Sequence, residues 1–416
     1  MTYTESSRDE LSALLLELLL TGQSVDRAGM TPVISKAGFE GMRTIAIEEW
    51  MGASPVYTRR MREALGVTTD TVEDIFKIIQ LDIGAPAQLL DFRFELEDPY
   101  HGVFQLASCG ALLDLEPMGE QAVKLMCHDI EDPTFDATAV ATNPRARFRP
   151  IHRPPRVPAD RTPHCAWSVT VEPDREPLPL PAETEPIFRT KAAHVALTDI
   201  DSHDEGMSDY SGPLLADLPN NVWSRSAMVR IAEELALQHH LLAISYYLAC
   251  QRHYGHAAAE DMYRKQFVGI AGFSSLRIKR ALGLGDGAQA LAHVLQVHPC
   301  LNPVQYTGVT VAPLLDSSGV RIVIAPDAPA HSDHSWLTLI DPDHLDAIEA
   351  MAVGVDAHFH DLDVTTDTDG TLIVDVRRAD QPAKTRKEVA ITSYTNGASF
   401  AFQDRGIPLP ITPINH

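Results

Sequence analysis

Two stretches of this 416-residue chain read as one unit written twice, and that repetition limits the fold more than any single motif does. Trp50-Met51-Gly52 lines up with Phe267-Val268-Gly269, and Arg60-Met61-Arg62 with Arg277-Ile278-Lys279, at one spacing (267 − 50 = 217). Ala64-Leu65-Gly66-Val67 and Ala281-Leu282-Gly283-Leu284 keep the same spacing. Further on, Phe92-Arg93-Phe94 matches Val320-Arg321-Ile322 at a slightly larger one (320 − 92 = 228). The expected fold is therefore α+β: two tandem, diverged copies of a helical segment followed by a small antiparallel sheet with a helix. Two such copies pack most simply as a pseudo-twofold pair, the intrachain form of an isologous dimer. A groove between them is a natural place for a ligand.

Within each copy the periodicities set the elements. Leu11, Leu14, Leu15, Leu18 and Leu19 follow the i, i+3, i+4, i+7 rhythm of a helix with one apolar face, and Val72, Ile75, Phe76, Ile78 and Ile79 repeat it before Gly84 and Pro86. Residues 92–96 alternate as a half-buried strand does, Val103 to Leu106 reads as its partner, and Cys165 to Val171 as another strand. A short helix from Gly119 to Met126 leads to Cys127. Residues 143–163 carry six prolines and read as a loop, although Arg145, Arg147 and Arg149 alternate as on one strand face. Pro173 to Pro186, acidic and proline-rich, reads as a linker. Helices then run from Trp223 to Gln296, followed by strands at 320–324 and 372–376 and a helix near His344 to Val353. The units fall at 1–172, 173–222 (linker) and 223–416.

Composition narrows the function. A formal charge of −23 repels a phosphate backbone or an anionic membrane, so neither nucleic acid nor membrane is an expected partner. Leu14 to Leu20 is too short to span a bilayer and is interrupted by Glu17. The polar, acidic N-terminus does not read as a signal peptide. An odd five cysteines without an export signal point to reduced thiols in the cytoplasm.

Three of those cysteines, Cys109, Cys127 and Cys165, sit in the first copy's sheet region, whose counterpart in the second copy has none. Donor groups crowd around them: His128 and Asp129 follow Cys127, and His164 precedes Cys165. Thiolates are soft ligands and strong nucleophiles, so this cluster fits a closed zinc site, a hydrolytic metal site, an iron-containing centre or a nucleophile; buried thiols acting as small hydrophobes are the bland alternative. The arginines from Arg145 to Arg161 either pair with surface acids or hold a substrate carboxylate. Asp114, Glu116, Asp129, Glu131, Asp132 and Asp136 supply acid/base candidates, of which Asp129 lies nearest Cys127 in sequence. His331 and His334, and the alternating His358 and His360, resemble metal pairs, while His239-His240 reads as one exposed and one packed ring.

The order Ser108-Cys109-Gly110, Met118-Gly119-Glu120, Met126-Cys127-His128, Asn143-Pro144, Arg153-Pro154-Pro155-Arg156 and His164-Cys165-Ala166-Trp167 resembles the L-2-amino-thiazoline-4-carboxylic acid hydrolase family. The resemblance covers most of the first half and implies hydrolysis of an amidine-like C–N bond in a small carboxylated heterocycle. On that footing Cys127 is nucleophile or metal ligand, His128 and His164 are acid/base groups, Asp129 orients a histidine, and Arg153 or Arg156 holds the carboxylate. Relatives often carry a further cysteine near the Pro-Pro pair. His152 stands there in this chain, so an implied metal set is Cys109, Cys127, Cys165 and His152, holding zinc or an iron-containing centre. The alternative is a non-catalytic metal, iron–sulfur or small-ligand sensor. Either reading takes a small molecule as partner and leaves room for a homo-oligomer.

Overall fold

The computed structural model describes residues 2–395; residues 396–416 of the expected second unit lie outside the described residues. Ser7 opens the first helix with a capping box: its hydroxyl accepts from the Glu10 N–H, and the Glu10 carboxylate accepts from the Ser7 N–H at 2.8 Å. Helix α1 (Arg8–Ala64) breaks at Gly38, whose φ of 66° and ψ of −165° suit glycine almost alone. Trp50 Nε1 donates to Asp26, 24 residues earlier, which a straight helix would place some 36 Å away. The chain therefore reverses at Gly38, and α1 is a helical hairpin.

After α2 (Val72–Ile79) come β1 (Leu90–Asp98) and β2 (His101–Cys109), joined by a tight turn. Helices α3 (Gly110–Leu115) and α4 (Glu120–Lys124), a π-helical turn (Leu125–Ile130) and α5 (Glu131–Val140) follow. Strands β3 (Ala146–His152) and β4 (Cys165–Val171) complete an antiparallel sheet of order β1-β2-β4-β3. The arginine alternation over 145–149 thus does mark a strand. Phe92, Phe104, Phe148 and Trp167 face one side and pack, with Phe135 of α5, into an aromatic core.

Residues 173–222 are not a free spacer. They carry α6 (Thr184–Phe188), and Ile187, Ala192 and Tyr210 are fully buried against the helices. The Lys191 and Ala192 N–H groups donate to the Asp333 carboxylate, tying this segment to the second half. Burying apolar side chains at roughly 1.5–3 kcal/mol each outweighs the flexibility its prolines and acids suggest.

Ser224 caps α7 (Arg225–Tyr254), Gly255 turns the chain with φ 78°, and α8 (His256–Ala281) returns. Then come α9 (Ala288–Gln296), α10 (Val304–Thr307), β5 (Val309–Pro313), β6 (Gly319–Ile324), α11 (Pro329–Ser332), α12 (Asp346–Val355), β7 (Phe359–Thr366), β8 (Leu372–Arg378) and α13 (Lys387–Thr392). The second sheet has order β5-β6-β8-β7, the same connectivity as the first. That order corrects one sequence match: Phe92–Phe94 lies on edge strand β1, whereas Val320–Ile322 lies on inner strand β6. Alternating apolar residues make one buried strand resemble another, so that match joined strands of different position.

The two hairpins pack on each other through α1 and α7 in one continuous core. Arg60 grips Glu234 with Nε and Nη2 at 2.9 and 2.6 Å, and Arg277 grips Glu17 in the same bidentate way at 2.7 and 2.8 Å. Arg8 donates to the carbonyls of Asn221 and Trp223, and Arg225 to those of Thr4 and Ser6. Close approach needs glycine at the crossing: a Cβ on Gly29 would lie 2.8 Å from the Tyr246 ring, whose hydroxyl donates to the Gly29 carbonyl 217 residues away. His239 and His240 both lie fully inside this core, correcting the expectation of one exposed ring. Their Nε2 atoms bond the carbonyls of Leu18 and Asn302, and burial pushes the imidazoles down to about 3 and about 4.

Candidate active site

The first sheet and the α1 hairpin do not close fully on each other. Between them, roofed by α5, lies a cavity of about 170 Å³. Trp50, Phe92, Phe104, Phe135 and Phe148 supply most of its wall, and Gln23, Asp26, Asp82 and Glu131 supply the polar groups. An apolar cavity with a few converging ionisable groups is the usual form of a small-molecule site.

Each carboxyl is shaped by its element. Asp26 projects from the first arm of α1 and accepts the Trp50 indole N–H at 3.2 Å; burial raises its pKa to about 6 against that bond and the nearby Arg27 charge. Asp82 sits where α2 gives way to a turn and accepts the Tyr57 hydroxyl at 2.9 Å and the Gly84 N–H at 2.7 Å. Burial still holds Asp82 near 6. Glu131, at the start of α5, is pushed up to about 8 by burial, against the pull of Arg153 and with a further push from Asp132. Beside Asp26, Glu49 is fully buried, and neither carboxylate oxygen has a hydrogen-bond partner among the described residues. Burial, and then the Asp26 charge, hold it well above the usual carboxylate range. The Gln23 side-chain oxygen is likewise buried without a partner.

The π-helical turn sorts the residues expected to be catalytic. It turns Met126, Ile130 and Glu131 to the cavity and leaves Asp129 exposed, 3.9 Å from Arg43. Asp129 therefore orients no histidine; Glu131, two residues on, is the acid that reaches the site. His128 Nε2 bonds the Pro154 carbonyl at 2.7 Å. His164 Nδ1 accepts the Cys109 N–H at 3.0 Å, which leaves its proton on Nε2, and burial followed by Arg156 lowers its pKa.

Cys109, Cys127 and Cys165 do come together, buried beside Glu131 and free of disulfides. Their environment works against thiolates. Burial first, then Glu131, raises all three thiols, Cys109 to about 12 and the others further. Cys109 Sγ, moreover, accepts the Leu112 N–H at 3.3 Å as the cap of α3. His152 lies on β3, half-buried, its pKa lowered by desolvation and by Arg161. Among the described residues, no group of three or more His, Cys, Asp or Glu is arranged to hold a metal ion.

The two arginines are engaged by acids. Arg156 makes a bidentate pair with Glu116, both contacts at 2.8 Å, and Arg153 pairs with Asp132 while lying over the Trp167 ring at 5.7 Å. Neither lines the cavity. In the second half, His331, His358 and His360 bond the carbonyls of Ala325, Ala379 and Gln381.

Sequence reasoning passed over Asp26, Glu49, Asp82, Tyr57 and Trp50. A signal was present: at the 217 spacing Asp26 stands opposite Ala243, and Glu49 opposite Gln266. Both are acids of the first half that have no acidic counterpart in the second at this spacing. No family model, curated protein or solved structure matches this chain.

Proposed function

We propose that the chain is two copies of one α+β unit about a pseudo-twofold axis, in which the first copy binds a small organic molecule and the second serves as scaffold. The reciprocal contacts support the first part. Arg60–Glu234 and Arg277–Glu17 exchange places at the 217 spacing, as do the carbonyl grips of Arg8 and Arg225, and an isologous interface requires that reciprocity. Carrying the second part is one observation: a cavity walled by aromatics and ringed by carboxyls whose pKa values are raised towards neutrality. An acid-lined, otherwise apolar cavity suits a ligand with an apolar body and a nitrogen-bearing end. The test is ligand-dependent thermal stabilisation with a varied set of small amines and heterocycles. Wild type should gain several degrees with some of them, and Ala46→Tyr, which fills the cavity, should lose those gains. Gains that persist in the filled variant remove the reading.

Hydrolysis of a C–N bond, the chemistry implied by the family resemblance, has a specific support in Glu131. A carboxyl with a pKa near 8 is protonated at neutral pH and can protonate a leaving nitrogen. The raised thiols argue against Cys127 as nucleophile. With a cyclic amidine carboxylate as substrate, Glu131→Gln should lower turnover roughly 100-fold or more, and Cys127→Ala should change it little. The opposite ranking would restore the thiol mechanism. Binding without turnover of any such compound would favour a small-ligand sensor. Five free cysteines suit a reducing compartment and so support a cytoplasmic location.

A further inference from the structure

The second half shows what the first-half cavity is shaped to hold. There, Trp336, from the segment between β6 and α12, packs on the α7–α8 hairpin and is fully buried. Its ring lies parallel to Phe267 (centroids 5.5 Å apart, 3° between planes) and tilts against His240 at 5.6 Å. Its indole N–H donates to the Gln266 side-chain oxygen at 3.2 Å.

At the 217 spacing, these three neighbours correspond to Trp50, Gln23 and Glu49. Trp50 and Gln23 wall the first-half cavity, and Glu49 stands beside Trp50, behind that wall. Among the described residues no aromatic plug reaches them: the segment between β2 and α5 presents Ala111, Met126 and Ile130 to the cavity. The plug's hydrogen-bond acceptors nevertheless remain. Both Glu49 oxygens and the Gln23 oxygen are buried without a partner among the described residues. A ring stacked on Trp50 with its N–H towards these oxygens would satisfy an acceptor whose isolation is otherwise costly. The volume is adequate, since a dry cavity of ~150 Å³ already admits benzene.

We propose that the first-half cavity binds a planar nitrogen heteroaromatic with a ring N–H, stacked on Trp50 and donating to Glu49, as the second half holds the indole of Trp336. This rests on the reading of the chain as two copies with a small-molecule site in the first. Replacement of Gln266 by Glu49, with Asp26 close by, adds a preference for rings that carry positive charge, because a carboxyl pair can share one proton and keep one negative charge.

Isothermal titration of the full chain with indole, benzimidazole and indene tests this. Indole and benzimidazole should bind at least tenfold more tightly than indene, which has the same shape and no N–H. Glu49→Gln, which restores the second half's acceptor, should keep indole within threefold of wild type and weaken benzimidazole at least tenfold at pH 7, where the carboxyl pair keeps one negative charge and benzimidazole binds by taking up a proton. Ala46→Tyr should abolish binding of all three, and Ala111→Phe serves if that variant does not fold. Indene binding as tightly as indole overturns the N–H recognition, as does a Glu49→Gln variant that treats all three probes as wild type does. If none of the three binds while other compounds stabilise wild type and not the filled variant, this inference fails and the small-molecule site stands. If no compound of any class stabilises wild type, both fail.

Discussion

Glu49 carries two buried oxygens to a place where no protein donor meets them, so its carboxyl holds a proton that the unfolded chain gives up. Its folded pKa lies above the unfolded value near 4.5. The associated stability is therefore complete below about pH 4.5 and falls as pH rises towards the folded pKa. Glu49→Gln should be close to wild type at pH 4.5 and more stable than wild type at pH 8. Urea unfolding across that range checks the slope, and a pH-independent difference would contradict the assignment. The thiols make a second residue-scale prediction. Buried and hard to ionise, the five cysteines should resist an aromatic disulfide reagent in the native protein at pH 8 and react together once denatured. A native thiol that reacts within seconds would show an activated cysteine. Cys127 was legible as part of a cluster, because its neighbours His128 and Asp129, and His164 beside Cys165, announce polar crowding. Whether that crowding activates a thiol or buries it depends on Glu131 and on the α3 cap, which only packing reveals.

Helical elements carry the most readable information and the sharpest mechanical constraints. Heptad-like leucines over 11–19 predict an amphipathic helix, and α1 begins one residue after its Ser7 cap. The reversal at Gly38 left a weaker trace, since glycine inside an apolar pattern is also compatible with a continuous helix. The side chain that proves the reversal, Trp50 bonded to Asp26, is a tertiary contact. Gly38→Ala should destabilise the protein by about 1–3 kcal/mol, although nothing surrounds the position within 4 Å, because the cost lies in the backbone. Equal stability in a urea melt would mean that the hairpin turn relaxes freely. The arginine grips between hairpins give a matching test. Arg60→Ala strips the partner from a buried Glu234 and should cost about 3–5 kcal/mol, with Arg277→Ala acting in the same direction at Glu17. Adding Glu234→Leu to Arg60→Ala should recover part of the loss, since the stranded charge is then gone. The π-helical turn at Leu125–Ile130 had no sequence signature at all, and it alone decides that Glu131 rather than Asp129 faces the cavity.

For the whole molecule, the hairpins share one core, so neither half has a complete interior of its own. Residues 2–222 or 223–395 expressed alone should lack a cooperative thermal transition, and the two fragments mixed should recover one; a sharp melt for either fragment would argue for independent domains. The 217-residue spacing was visible in the sequence because it holds from α1 through α7 and α8, and a fixed spacing is legible even where side chains differ. The strands beyond it were misaligned, because a two-residue alternation carries too little information to tell one buried strand from the next. The sequence by itself determined the mixed class of fold, the overall acidity, and the region in which the cysteines of the first half have no counterpart in the second. Tertiary structure alone decided which of those differences form a site. Pattern along the chain reports which face of an element is buried, whereas a site depends on what that face meets across the interior. Asp26, Glu49, Asp82 and Glu131 come from four separate segments and acquire their shifted protonation only where packing removes water from all of them.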